Sequence, residues 1–427
     1  MGESDEKLWG EGLKLLRVLA EAGHEAYLVG GCVRDRLIGR PLHDIDIATS
    51  ALPEAVQALF PRTVPTGLQH GTVTVMVDGT PFEVTTYRTE SGYSDARRPD
   101  EVNFVSDIRE DLSRRDFTFN AMAVGLDGEV LDPFGGREDL SAGIVRTVGQ
   151  AADRFGEDAL RMLRAIRFGA EFGFELAADI WDGIASRKQR LAQVAMERIG
   201  AEWDKMMAGQ GPDQACAWLR ESGLLAYTKE PLITPSGGWT SSDAEAAIRL
   251  SGIEGVDVRW AAYWIGVGAS ESEAASSCKA LRMSGKRVAR IAAVVGFERR
   301  LLAGDGAGGR VAARDGGCDR ETWIEAVLDY GVPAAEDWLE IREAASGGVD
   351  GEVPSWLATM PVTRVSELAV RGDELAKALG MPPGPWVARQ LRQLLSEVAH
   401  GRVVNDKGAL LEVATTVRAD DNGTQFR

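Results

Sequence analysis

The stretch Gly30-Gly31-Cys32-Val33-Arg34-Asp35, followed by Leu42-His43-Asp44-Ile45-Asp46-Ile47-Ala48-Thr49, decides how the N-terminal part of the chain is read. Its two glycines come directly after the apolar run Ala26-Tyr27-Leu28-Val29. A glycine turn in that position lets a phosphate chain approach backbone N–H groups at a helix start. In Asp44-Ile45-Asp46-Ile47, strand alternation puts both carboxylates on one face and both isoleucines on the other. Carboxylates so placed repel each other unless a cation lies between them. An all-oxygen pair beside a phosphate cradle points to Mg2+ and a nucleoside triphosphate.

Working outward, apolar spacing predicts helices over 5–22, through Leu37 and from Pro53 to Phe60, with a strand over 44–48 carrying the aspartates. Two further strands, 72–77 and 82–88, flank Asp78-Gly79, a strong hairpin signal. Glu83, Thr85 and Tyr87 share one face of the second. If that strand lies beside the aspartates, Glu83 supplies a third carboxylate; a solvated glutamate explains it equally well. Residues 89–103 have turn composition and no periodicity, and a loop of that length in a compact domain is either functional or disordered. It carries Tyr93, Arg97 and Arg98, which could swing over a bound nucleotide. In Arg114-Arg115-Asp116-Phe117-Thr118-Phe119-Asn120, a salt-bridged helix entry accounts for Arg114 and Asp116. Beside a metal–triphosphate site, Arg115 would instead hold a phosphate, with Asp116 and Asn120 on ribose hydroxyls.

From Ala151 onward the strand signals almost vanish. A long helix is expected to hold Glu157-Asp158-Ala159-Leu160-Arg161-Met162-Leu163-Arg164-Ala165-Ile166-Arg167-Phe168, with Asp158, Arg161, Arg164 and Arg167 along one slowly turning face. An ion-pair ladder explains the acids but leaves Arg164 and Arg167 without a carboxylate on that face. Further helices are expected at 196–203, 215–225, 242–250 and 257–267, a Gly-rich connection at 303–317, and helices around a proline turn between 364 and 415.

Composition narrows the possibilities. At 427 residues the chain needs two to four units. Its Cys32, Cys216, Cys278 and Cys318 form no CxxC pair, and its four histidines are scattered, so neither a disulfide framework nor a structural zinc site is expected. No apolar run approaches the roughly 20 residues that span a bilayer, and the acidic start lacks a signal-peptide pattern, so the expected location is cytoplasmic. A net charge of −17 argues against a basic nucleic-acid coat protein but leaves room for a local basic face. The best such candidate is Lys279, Arg282, Lys286, Arg287 and Arg290, five basic residues with no acid among them, a solvated helix end being the alternative.

GG-x-VRD, DIDIAT, FEVTTYR, RRDFTFNAMA and EDALRMLRAIRF, five motifs in order over residues 30–168, resemble the bacterial class II tRNA nucleotidyltransferase / poly(A) polymerase family. The likeness continues through Met196-Glu197-Arg198-Ile199 and faintly at Gly384-Pro385-Trp386. The resemblance implies an α/β head of the polymerase-β-like nucleotidyltransferase type at 1–148, followed by all-α neck (149–210), body (211–330) and tail (331–427). It implies that Asp44 and Asp46 bind two magnesium ions and that Glu83 is the third carboxylate. Gly31, Arg34 and Arg115 would contact the nucleotide, with Arg164 and Arg167 near the triphosphate. Asp158 would accept from the exocyclic amine of cytosine or adenine while Arg161 donates to the adjacent ring nitrogen. Guanine and uracil present the reverse order, and each mismatched buried group costs on the order of 1–3 kcal/mol. Glu157 would orient Arg161.

Such a site reads C and A without a template, as CCA synthesis on tRNA requires. The expected partners are tRNA, CTP and ATP, with neither membrane nor DNA, and the oligomeric state is open. Addition of only the two cytidines is disfavoured because 89–103 is present. Poly(A) synthesis is disfavoured because Val64 to Gly71 lacks that branch's basic signature. A-only addition is the runner-up. A non-catalytic RNA-binding protein with a dead head is countered by the retention of Asp44, Asp46 and Glu83, and a dinucleotide-binding protein by the lack of GxGxxG.

Overall fold

A computed structural model describes residues 2–92, 101–230, 232, 248–304, 319–346 and 352–423. The chain divides into two compact units, Met1–Leu232 and Ile233–Arg427.

In the first unit, α1 (Glu3–Glu21) opens with Glu3, Asp5 and Glu6, which suit the positive end of the helix dipole, and buries Trp9, Leu15, Leu16 and Leu19. Then come β1 (Ala26–Val29), α2 (Gly31–Leu37), β2 (Asp46–Thr49), α3 (Pro53–Leu59), β3 (Thr63–Gly67), β4 (Thr72–Val77) and β5 (Thr80–Thr86). With β8 (Ala123–Val124) and β9 (Val130–Leu131) the strands form one sheet in the order β3-β4-β5-β2-β1-β8-β9. Asp78 and Gly79 both take positive φ, 50° and 86°, giving the tight turn expected between β4 and β5. Strand β2 runs antiparallel to β1 but parallel to β5.

Three expectations change here, and one strand is added. The aspartate strand begins at Asp46, because its pairing with β1 ends at Val29↔Asp46, where the chain turns at Gly30; Asp44 lies just before it. Strand β5 ends at Thr86, and Tyr87, just past it, stays on the Glu83 face and buries its ring with Val29, Ala48 and Leu112. Residues 63–67 form a strand despite Pro65 and Gly67, which an edge position tolerates. Finally, the ends of the expected loop pair as an antiparallel hairpin, β6 (Arg88–Ser91) with β7 (Glu101–Phe104). Tyr93, Arg97 and Arg98 lie outside the described residues.

After α4 (Ile108–Ser113), α5 (Gly136–Ala142) and β10 (Ile144–Val145), the helical part of this unit comprises α6 (Ala151–Glu157), α7 (Leu160–Phe172), α8 (Ala178–Arg187), α9 (Met196–Ala208) and α10 (Pro212–Ser222). The single long helix expected across 157–168 is two helices. Asp158 is extended (φ −131°, ψ 105°), and its Oδ1 accepts from the backbone N–H of Leu160 at 3.0 Å, starting α7. Aspartate favours such a cap over a helix interior. The expected body boundary at 211 falls inside the first unit, where a Cβ on Gly211 would meet the Ala170 carbonyl oxygen of α7 at 2.1 Å.

All regular elements described in the second unit are helical, among them α11 (Val256–Gly266), α12 (Glu271–Ala280) and α13 (Gly285–Gly304), then Arg320–Tyr330, Val332–Ser346, Gly372–Ala378, Pro385–Ala399 and Lys407–Gly423. Its core includes Trp260, Trp264, Trp323, Trp338 and Phe297. Most of the helix expected at 242–250 and of the Gly-rich 303–317 lies outside the described residues.

Candidate active site

The carboxylates converge on the β2–β5 pairing. In the parallel register Asp46 stands directly opposite Glu83, so the third acid comes beside the second, while Asp44 is two residues upstream. Burial pushes the Asp46 carboxyl up to about 6, and Asp44 and Glu83 add to this while Arg115 opposes it. Among the described residues no three His, Cys, Asp or Glu side chains close into a cage that could hold a metal alone. The donor set is nevertheless all oxygen, crowded and like-charged. That suits a hard divalent cation that takes its remaining ligands from substrate phosphates and water.

Gly30 shapes the floor of the site. It takes φ 76° and ψ −132°, and a Cβ there would lie 2.8 Å from Arg115 Nη1 and 3.8 Å from Asp46 Oδ2. Arg115 therefore lies against the turn, next to the carboxylates. Its Nη2 reaches Asp111 Oδ2 at 3.4 Å, and its buried Nε has no hydrogen-bond partner.

The residues expected around the ribose form a buried relay. Asp116 accepts from Asn120 Nδ2 (2.9 Å) and pairs with Arg164 (2.6 Å), while Asn120 Oδ1 accepts from Arg34 Nη1 (2.6 Å). Burial would raise the Asp116 carboxyl, but Arg164, Asn120 and Arg161 more than offset this and hold it well below the usual carboxylate range. Arg34 also lies over the rings of Phe168 and Phe172, at 5.0 and 5.1 Å.

The expectation that Arg164 and Arg167 lack carboxylate partners is corrected here. Arg164 has Asp116, and Arg167 donates to Glu202 at 2.7 Å and Glu171 at 3.1 Å. The acids come from other elements or from one turn further on, which the face read over 157–168 did not include.

The pair expected to read the base sits at the α6–α7 break, and each member has its own counter-ion. Arg161 donates to Glu157 Oε2 (2.6 Å) and to the Arg114 carbonyl (2.9 Å). Asp158 pairs with Arg198 of α9 at 2.7 Å, not with Arg161. Arg154 also holds Glu157, at 2.8 Å. Sequence reasoning missed Arg154, Arg198, Glu202 and Asp111 as organising residues. Only Arg198 had a signal, within Met196-Glu197-Arg198-Ile199.

In the second unit the basic run is divided. Lys279 closes α12, Arg282 sits in the connection at φ 61°, and Lys286, Arg287 and Arg290 are on α13. Arg287 pairs with Asp257 (2.7 Å) and Arg290 with Asp337 (2.8 Å), so acids from neighbouring helices neutralise two of the five. Lys279 and Lys286 are exposed.

Residues 26–146 match the model of the poly A polymerase head domain, 173–233 that of a probable RNA and SrmB-binding site of polymerase A, and 253–414 that of tRNA nucleotidyltransferase domain 2. Together with the paired carboxylates on β2 and β5, these matches define a nucleotidyltransferase. The chain is 38% identical over 402 residues to a CCA-adding enzyme of Geobacillus thermodenitrificans, covering 93% of this chain and 94% of that one. It is 36% identical over 416 residues to a CCA-adding enzyme of Lactiplantibacillus plantarum, covering 96% of each. The solved Bacillus stearothermophilus CCA-adding enzyme in complex with CTP superposes with a TM-score of 0.77 at 35% identity, over 99% of this chain and all of that one. This chain belongs to the CCA-adding enzyme family. Among the described residues no helix is long and apolar enough to cross a membrane.

Proposed function

We propose that this protein adds CCA to the 3′ end of tRNA from CTP and ATP, releasing pyrophosphate, with the base chosen by side chains and no nucleic-acid template. The observation that carries the reading is the Asp158/Arg161 pair, an acceptor beside a donor, each fixed by an opposite charge from another position. A carboxylate has about four lone-pair sites, so Asp158 can hold Arg198 and still accept from the amine of cytosine or adenine. Held against Glu157, Arg161 keeps its guanidinium oriented as a donor, the wrong polarity for the ring N–H of guanine or uracil.

Asp44 and Asp46 are the residues that would hold Mg2+, with Glu83 beside them. When bound, that ion neutralises phosphate charge and favours ionisation of the primer 3′-hydroxyl. Gly31 and Arg34 line the nucleotide side of the turn. Arg115 offers its unpartnered Nε to the phosphates, joined by Arg164. Arg167, engaged by Glu202 and Glu171, acts as a tie between α7 and α9. Asp116 and Asn120 reach the ribose through the lone pairs and N–H left over from Arg164 and Arg34. Contact with the tRNA backbone from the basic run falls on the exposed Lys279 and Lys286, with Arg287 and Arg290 tied to acids. The head, neck, body and tail division serves these roles in order, in the cytoplasm.

The test offers tRNA ending before the first C, and tRNA ending in CC, with each nucleotide separately. CMP incorporation on the first and a single AMP on the second are expected. AMP addition alone would support the A-only reading, and open-ended A tails would overturn both. Asp44→Ala should abolish transfer and leave tRNA binding nearly intact.

A further inference from the structure

Asp111, on α4, is fully buried, and no step proposed above uses it. Its Oδ1 accepts from Arg114 Nε (3.1 Å) and Nη2 (2.9 Å) and from the backbone N–H of Arg88 (3.3 Å), while Oδ2 faces Arg115 Nη2 at 3.4 Å. Burial alone would raise its carboxyl, yet the Arg114 and Arg115 guanidiniums bring it below the ordinary value, so it stays ionised. A buried carboxylate with this many donors is an anchor, and its two arginines lead to different parts of the site.

One branch runs through Arg115. From Asp111 the guanidinium extends to the Gly30 turn, where Nη1 lies 2.8 Å and Asp46 Oδ2 3.8 Å from the place a Cβ would take, so both flank the same point. Asp111 is the carboxylate with which Arg115 pairs, at 3.4 Å. The other branch runs through Arg114. Its side chain is clamped between Asp111 and Glu90 of β6 (3.0 Å), and its carbonyl oxygen accepts from Arg161 Nη2 at 2.9 Å. The backbone at Arg114 is thus a fixed stop for the arginine that reads the base.

We infer that Asp111 is a positioning residue for nucleotide addition: one buried carboxylate sets Arg115 beside the catalytic carboxylates and, through Arg114, sets Arg161 against the base. The inference rests on the nucleotidyltransferase reading of the site and goes beyond it, because it couples rate to base choice through a residue that touches neither substrate nor metal.

Asp111→Asn keeps the shape and removes the charge. With tRNA lacking CCA, kcat for CMP addition should fall by about tenfold or more, as is typical when a supporting carboxylate is lost. The preference for CTP over UTP, measured as the ratio of kcat/KM and independently as the ratio of equilibrium Kd, should shrink by about tenfold. Reduced folding alone would lower the active fraction and leave both ratios unmoved. Leu112→Ala supplies that comparison, since Leu112 is equally buried on the same helix and holds no arginine side chain. It should lose stability and keep its base choice. An unchanged CTP-to-UTP preference in Asp111→Asn, or an equal shift in Leu112→Ala, would overturn the inference. Should Asp111→Asn give no folded protein, Arg114→Gln tests the base-choice branch by the same ratios. Wild-type protein that adds no CMP would overturn the functional reading, and this inference with it.

Discussion

Replacing Gly30 with alanine is the sharpest perturbation the site offers, because its cost can be worked out atom by atom. At φ 76° and ψ −132° the residue occupies a region that side-chain-bearing residues avoid, at about 1–3 kcal/mol. The added Cβ would lie 2.8 Å from Arg115 Nη1, and ordinary contact begins at 3.4 Å, so the guanidinium must withdraw by about 0.6 Å. A misplacement near 1 Å costs on the order of a hundredfold in rate, so Gly30→Ala should lose about ten- to a hundredfold in kcat. Urea unfolding followed by circular dichroism reads the first effect, and single-turnover CMP addition reads the second. Gly31→Ala is the matched control. Its Cβ would meet Arg34 Nη2 at 3.6 Å, an ordinary contact, and alanine is the better helix former, so stability should hold or rise slightly. A Gly30→Ala protein as stable as wild type and within twofold in kcat would refute the geometry assigned to the turn.

Two further outcomes follow. Arg161→Ala should cut discrimination against UTP and GTP by about ten- to a hundredfold, matching one or two mismatched contacts of about 1–3 kcal/mol, with tRNA affinity unchanged; nucleotide competition assays decide it. Acid should destabilise the first unit. Burial would raise Asp116 and Glu202, but Arg164 and Arg167 hold both carboxyls below their unfolded values. Their stabilising contribution is therefore complete above the unfolded carboxylate range near pH 4 and is lost as pH falls below it. Thermal melts between pH 3 and 7 should show the transition falling at the acid end, less steeply in Asp116→Asn; equal slopes would contradict the relay.

What could be read from the chain, and what could not, divides by distance in sequence. The Asp78-Gly79 turn and the helix starting at Gly31 depend on neighbours, and the sequence carries them openly. The placement of Glu83 was legible only as a condition, because a strand does not state which strand it pairs with. The break at Asp158 had a local signal, an aspartate two residues after Gly156, but it was outweighed by strong helical spacing. The partners of Arg164, Arg167, Arg287 and Arg290 had almost none. Asp116, Glu202, Asp257 and Asp337 are 30 to 48 residues away along the chain, and only packing brings them near. Even Glu171, one turn beyond Arg167, was hidden by ending the face too early. Reading one face of one helix systematically overcounts free charge for this reason.

The register that sets Asp46 against Glu83 also sets Ile47 against Val84, and both of these are completely buried. A slip of one residue would turn Phe82 or Val84 toward the carboxylates and Glu83 into the core. Alignment of the reacting groups and burial of the core therefore stand or fall as a single parity. A misassembled copy of this head is not a folded but idle competitor for substrate. It is an unfolded chain, open to cellular proteolysis before it can bind anything.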